Sequence, residues 1–254
     1  MQRHRVVPIL LVAALCTAAC GGGGDDGGTA TPTTANTVAS GPSTTAAPAQ
    51  TTTTSPGTDP ALAAKAKSAT LQTADFPPGF QPQPEEPGQG LNIDLLWQEL
   101  TRCLGVESTA PPAGLATSPT FLRGLATQGR STVEYTTEQR TTAVAAALTG
   151  AKAMECLTKS FEADVDRSKP EGAKPGPVKV TPRTVTLPGG QRAISWRINA
   201  SVLLAELTVP LFQDFTVVFN RGTMTRFYYL NPGSDFPQDA EQGMVEKVVA
   251  RAGP

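Results

Sequence analysis

Histidine is nearly missing from this chain, and the one copy, His4, lies at the very start. Without an imidazole in the body of the protein there is no Ser-His-Asp triad, no Cys-His nucleophile and no histidine metal ligand. Serine occurs, but never as Gly-x-Ser-x-Gly or Ser-x-x-Lys, so serine-hydrolase and penicillin-binding chemistry lack a motif. An excess of positive charge is lacking too, with 21 Lys and Arg against 22 Asp and Glu and no basic run. Nucleic acid is therefore not an expected partner, because no positive stripe exists to release counterions from phosphates. Asp25-Asp26 has too few ligands for a calcium loop, and the sequence gives no reason to expect a cofactor or a metal. Cysteine is scarce at four copies: Cys16, Cys20, Cys103 and Cys156.

The longest apolar run, Val6 to Leu15, is too short for a comfortable membrane span, and Arg3 and Arg5 precede it. Ala18-Ala19 then offers small residues to a peptidase before Cys20-Gly21. The segment resembles a bacterial lipoprotein signal (1–19), which implies that Cys20 receives a diacylglycerol thioether and becomes the new N-terminus. Ordinary secretion after Ala19 and an uncleaved anchor are the competing readings. Residues 20–60 follow, rich in Gly, Thr, Ala and Pro and without an aromatic, a composition that cannot offset the entropy of ordering. They read as a tether with a mean reach of about 35 Å. The domain proper is expected over 61–254. Outside the cytoplasm, Cys103 and Cys156 are most simply read as a disulfide, with two buried free thiols as the alternative.

Along the domain, Leu71 to Phe80 reads as an extended arm turned by Pro77, Pro78 and Gly79 and pinned by Phe76 and Phe80. A helix is expected from Asn92 to Leu104, then a loop to Ser118, then strands over Thr120–Leu125 and Ser131–Thr137. The clearest helix spans Glu138 to Asp164, with Val144, Ala147, Leu148, Ala151, Met154, Thr158 and Phe161 on one face and Cys156 beside it. Strands Val178–Leu187 and Arg192–Ala200 flank the turn signal Pro188-Gly189-Gly190. Leu207 to Phe219 carries the strongest two-residue period, Pro210 suggests an edge position, and a further strand runs from Met224 to Leu230. Ser234 or Asp235 can cap a last helix ending near Ala252. Hairpins bracketed by helices, without strand-helix-strand alternation, predict an α+β fold: an antiparallel sheet with helices packed on it.

Taken together, Cys20 and its tether, the arm Ala74-Asp-Phe-Pro-Pro-Gly-Phe80, the cysteine-bearing helices, the segment Leu207 to Phe219, its Arg221-Gly222 turn and the last helix carry a likeness. The chain resembles actinobacterial envelope lipoproteins with a PsbP-like (LpqN-like) domain over roughly residues 70–253. The resemblance implies a PsbP-like fold and a non-enzymatic accessory role, binding a protein partner or a lipid-like ligand at the membrane.

Two sets of residues are candidate sites. Glu134, Glu138, Asp214 and Asp235 are the acid/base groups a carboxylate-dependent hydrolase would use, against the plainer reading of solvated strand-end side chains. Phe212, Arg226 and Tyr228 are the candidate binding patch. A three-residue turn after Phe219 puts Arg226 and Tyr228 on the face of Phe212; a two-residue turn moves them to the opposite face. The competing reading makes that face a second core beneath the last helix or the arm. Trp97 and Trp196 read as core. An envelope sensor or regulatory module is the alternative to an accessory binding protein.

Overall fold

The computed structural model describes residues 58–83, 93–107, 110–124, 127–169, 171–187 and 191–253. The leader, Cys20, Asp25-Asp26, nearly all of the tether and the Pro188-Gly189-Gly190 turn lie outside them. Five α-helices and one antiparallel sheet of nine strands make an α+β fold among the described residues. In chain order they are α1 (Pro60–Ala69), β1 (Gln81–Gln83), α2 (Ile93–Leu104), β2 (Gly114–Thr117), β3 (Thr120–Arg123), β4 (Thr127–Tyr135), α3 (Glu138–Leu148), α4 (Ala153–Ser168), β5 (Lys174–Pro175), β6 (Lys179–Arg183), β7 (Arg192–Leu204), β8 (Leu207–Asn220), β9 (Thr223–Pro232) and α5 (Gln238–Ala252). Hydrogen-bonded neighbours run β1-β3-β4-β9-β8-β7-β5, with β2 also on β4 and β6 on β7.

The long β7-β8-β9 meander is the spine. Alternating apolar residues favour extended backbone, and the turn at Arg221-Gly222 sets the register by pairing Asn220 with Thr223. Two turn residues, not three, place Met224, Arg226, Tyr228 and Leu230 beside Phe219, Val217, Phe215 and Gln213 on one face, the front. Thr225, Phe227 and Tyr229 go to the back with Val218, Thr216 and Asp214. Both faces are covered, so Thr223 to Leu230 are all buried. Pro210 does not mark an edge strand. It sits in β8 just before the first residue paired with β9, Leu211 opposite Pro232, where the β9 ladder has ended and the Pro210 carbonyl accepts the Gly233 N–H. Pro175 and Pro182 occupy β5 and β6, which pair only with β7.

The front is covered by α2, α3 and α4. In α2 the spacing of Ile93, Leu96, Trp97 and Leu100 gives one apolar stripe, buried against Phe215 and its neighbours. The single helix expected over Glu138–Asp164 is instead two. Thr149 donates its backbone N–H back to Ala146 and Ala147, Gly150 to Ala147, and a new helix starts at Ala153. The break resets the helical phase, so Ala151 and Met154 face outward while Cys156, Leu157, Phe161 and Val165 form the buried stripe. Cys156 thus lies in the core rather than beside it, and its bond to Cys103 joins α4 to α2.

The back is covered by α1, the arm and α5. Asp59 caps α1, accepting from the backbone N–H groups of Ala61 and Leu62, with Pro60 preorganised in the first turn. The arm docks as expected: Phe76 stacks on Phe80 (4.7 Å) and meets Phe121 (4.6 Å), with Gly79 at φ 98° in the turn. Strand β2, expected as loop, pairs with the end of β4 and receives α1 so closely that Gly114 has no room for a Cβ against Leu62.

Candidate functional site

The residues singled out as a binding patch do not form one. Arg226 and Tyr228 are buried on the front face, and Phe212, half-buried, lies on the back. The two-residue turn is the physical reason, since a shift of one position exchanges the faces of every side chain in β9. Arg226 lies with its guanidinium carbon 4.8 Å from the centre of the Trp97 ring, and Glu134 reaches it at 3.8 Å. Arg140 shares the same carboxylate at 3.6 Å and donates to the Val106 carbonyl. Burial pulls the Arg226 pKa down, opposed by Glu134. Tyr228 keeps a buried hydroxyl with no hydrogen-bond partner among the described residues, and burial, then the Asp164 carboxylate, drives its pKa well up. Asp164 itself is pushed up to about 6 by burial, against the pull of Arg167, which bridges to Glu99 at 2.6 Å.

On the back, Asp214 is the hub of an ion network. Arg197 donates to both of its oxygens at 2.8 Å and also pairs with Asp235; Arg183 bridges Asp214 (3.0 Å) and Glu241 of α5 (2.6 Å). Ser195, Thr216 and Glu241 continue the chain of hydrogen bonds. Burial raises the pKa of Glu241, with Asp214 adding to it. Such a network fixes where α5 lies, and its carboxylates are held by guanidinium groups. A second tie of this kind links Asp75 in the arm to Arg251, fork to fork at 2.9 and 2.6 Å.

The four candidate carboxylates are therefore dispersed. Asp214 and Asp235 meet at one guanidinium, Glu134 serves the front core, and Glu138 lines a shallow depression of about 160 Å³ with Arg192 and Arg221. Sequence does not single out Glu241, Arg183, Asp75 and Arg251, because nothing in local sequence says which solvated-looking charges a covering helix will bury.

One accessible apolar region remains on the spine. Strands β7 and β8 pair continuously to Leu204–Leu207, whereas β9 stops at Pro232 opposite Leu211. The hairpin therefore outruns β9. At its tip Leu207 is 51% exposed on the front, beside half-buried Leu204 and Val209, and Leu203, 37% exposed, lies on the back. Phe212 lies at the base of the same projection. Ala205 turns the chain at φ 54°, a position glycine usually fills. The pointer in the sequence was Leu203-Leu204 and Leu207 around a bare Ala-Glu pair.

Trp97 and Trp196 are core, as expected. No helix among the described residues is long and apolar enough to cross a membrane, and the Cys103–Cys156 bond suits an oxidising compartment. No protein-family model, curated protein or solved structure matches the chain.

Proposed function

We propose that this chain is a lipid-anchored, extracytoplasmic accessory protein of the bacterial envelope, held to the membrane by acylated Cys20 and acting by binding rather than by catalysis. The reading follows its resemblance to PsbP-like lipoproteins. The observation that carries the binding role is the contrast between two regions. Core charges are consumed in ion pairs that lock helices to the sheet, while apolar side chains stay accessible on the projecting β7–β8 hairpin. Accessible leucines on a hairpin that outruns β9 fit recognition of another apolar surface. Native mass spectrometry of the full chain in detergent tests it. A stoichiometric protein or lipid adduct is expected; a bare chain that hydrolyses envelope substrates through its carboxylates would overturn it.

A further inference from the structure

Two arginines at the Asn220 end of the sheet carry charge that the fold does not use. Arg183, Arg197 and Arg251 are each tied to carboxylates. Arg192, which opens β7 opposite Phe219, and Arg221, in the turn between β8 and β9, are exposed, and among the described residues neither has a carboxylate within ion-pair distance. Arg192 donates to the Thr149 hydroxyl at 3.2 Å.

Arginine is also the costlier choice at 221. Its φ is 47°, a left-handed backbone that glycine adopts freely and other residues seldom do. The turn's glycine is needed at 222 instead, where a Cβ would come within 2.8 Å of the Thr136 carbonyl oxygen. Thr141 of α3 donates its hydroxyl to the Arg221 carbonyl, and Thr136 its backbone N–H to the Gly222 carbonyl, so the turn is held in place from both sides. A strained backbone held by its neighbours marks a side chain that is put to use.

Both guanidinium groups border the depression of about 160 Å³ that Glu138 also lines, with Phe219 and Ala145 buried beneath it. Drug-sized ligands take about 300 Å³ or more, so this space suits one small polar group. Glu138 is exposed and, like the arginines, has no ion pair among the described residues. A simple oxyanion would satisfy the arginines and be repelled by Glu138; a simple amine would do the reverse. A solute that joins an oxyanion to an ammonium group through a short apolar link matches all three charges and the apolar floor.

We propose that the depression between the β8–β9 turn and α3 binds a phosphoethanolamine-type zwitterion, with its phosphate at Arg192 and Arg221, its ammonium at Glu138 and its methylenes on Phe219. Such a group comes either as a phospholipid headgroup or as a free solute. The site does not depend on acylation of Cys20, so this inference and the anchored reading can fail separately.

Calorimetric titration of the purified full chain in alkyl maltoside, at fixed ionic strength, tests it with glycerophosphoethanolamine and with glycerol 3-phosphate, which lacks the amine. Saturable binding of the zwitterion is expected. Arg221→Gly should weaken it about tenfold or more, the loss of one charge-assisted contact, and leave the melting temperature about unchanged because glycine suits the turn. Arg192→Gln, on the neighbouring strand, should weaken it likewise. Glu138→Gln should lower the preference for the zwitterion over glycerol 3-phosphate about tenfold, an effect that a merely structural carboxylate would not produce. No saturable binding of the zwitterion, arginine variants that bind like the wild type, or an unchanged preference in Glu138→Gln would each overturn the proposal. Flotation with phosphatidylcholine vesicles, with and without phosphatidylethanolamine, tells the two sources apart. Better retention of the wild type than of Arg221→Gly on the ethanolamine lipid identifies a headgroup; equal retention identifies the free solute, and either result keeps the site.

Discussion

At the scale of single residues, Phe212 and Tyr228 make a sharp contrast, because the sequence alone left them on one patch and the register separates them. Tyr228→Ala should cost about 3–5 kcal/mol, the usual loss for a large aromatic removed from a core, and Phe212→Ala about 1 kcal/mol. Tyr228→Phe should be neutral or slightly stabilising, since it deletes a buried hydroxyl that has no partner. Denaturant unfolding of the three variants checks both statements. Asp164 is the residue whose effect depends on pH. Its folded pKa, about 6, lies above its ordinary 3.8, so the native state binds the proton more tightly than the unfolded one. Stability attributable to Asp164 is then greatest below about pH 4 and falls as pH rises to 6. Asp164→Asn, which mimics the neutral acid, should stabilise the protein at pH 7 by up to about 3 kcal/mol and change little at pH 4. Equal effects at the two pH values would contradict this. Neither side chain's surroundings were legible in sequence, since burial of Asp164 depends on the helical phase that the break at Gly150 resets.

Among the elements, those with strong periodicity were legible and those defined by their partners were not. Helix α2 and strands β8 and β9 fall where spacing places them, and the arm docks through the two phenylalanines that flank its prolines; the final helix ends at Ala252 as expected but starts at Gln238 without a side-chain cap, Asp235 being held by Arg197 and Ser234 by Asn231. Strand β2 was missed because Gly114 to Thr117 has no alternation of its own and becomes a strand only by pairing with β4. The α3–α4 break was hidden by alanines and threonines that extend an apolar stripe through Gly150 without a proline to stop it. Two measurements bear on elements. Gly129 lies under the arm, where an added Cβ would come within 2.6 Å of the Phe76 ring. Gly129→Ala should therefore lift the arm and cost about 1–3 kcal/mol, read by thermal unfolding and by faster proteolysis before Phe80. Loss of the Cys103–Cys156 bond opens a 53-residue separation, and on the chain-entropy model costs about 4 kcal/mol. A Cys103→Ser/Cys156→Ser pair whose denaturation midpoint equals that of the wild type would show that helix packing alone holds α2 to α4.

For the whole molecule, the fold class was readable because antiparallel patterning, hairpin turns and flanking helices all point the same way. The candidate site was not: an aromatic and arginine patch of Phe212, Arg226 and Tyr228 was expected across β8 and β9, and Arg226 and Tyr228 are instead buried on the face opposite Phe212. Two-sided burial of the sheet accounts for the difference. Thr, Asp and Arg at alternate positions suggest a wet face, but here they lie beneath α1, the arm and α5, satisfied by one another. Placement in the envelope rests on chemistry at the far end of the chain. Cys20→Ser should release the protein from the membrane fraction into the medium, which immunoblotting of fractionated cells would record. Direct evidence comes from mass spectrometry of the N-terminal peptide of the protein isolated from its own cells. We expect that peptide to begin at Cys20 with a diacylglycerol on its sulfur; one that begins at Met1, or an unmodified Cys20, would contradict the anchored reading.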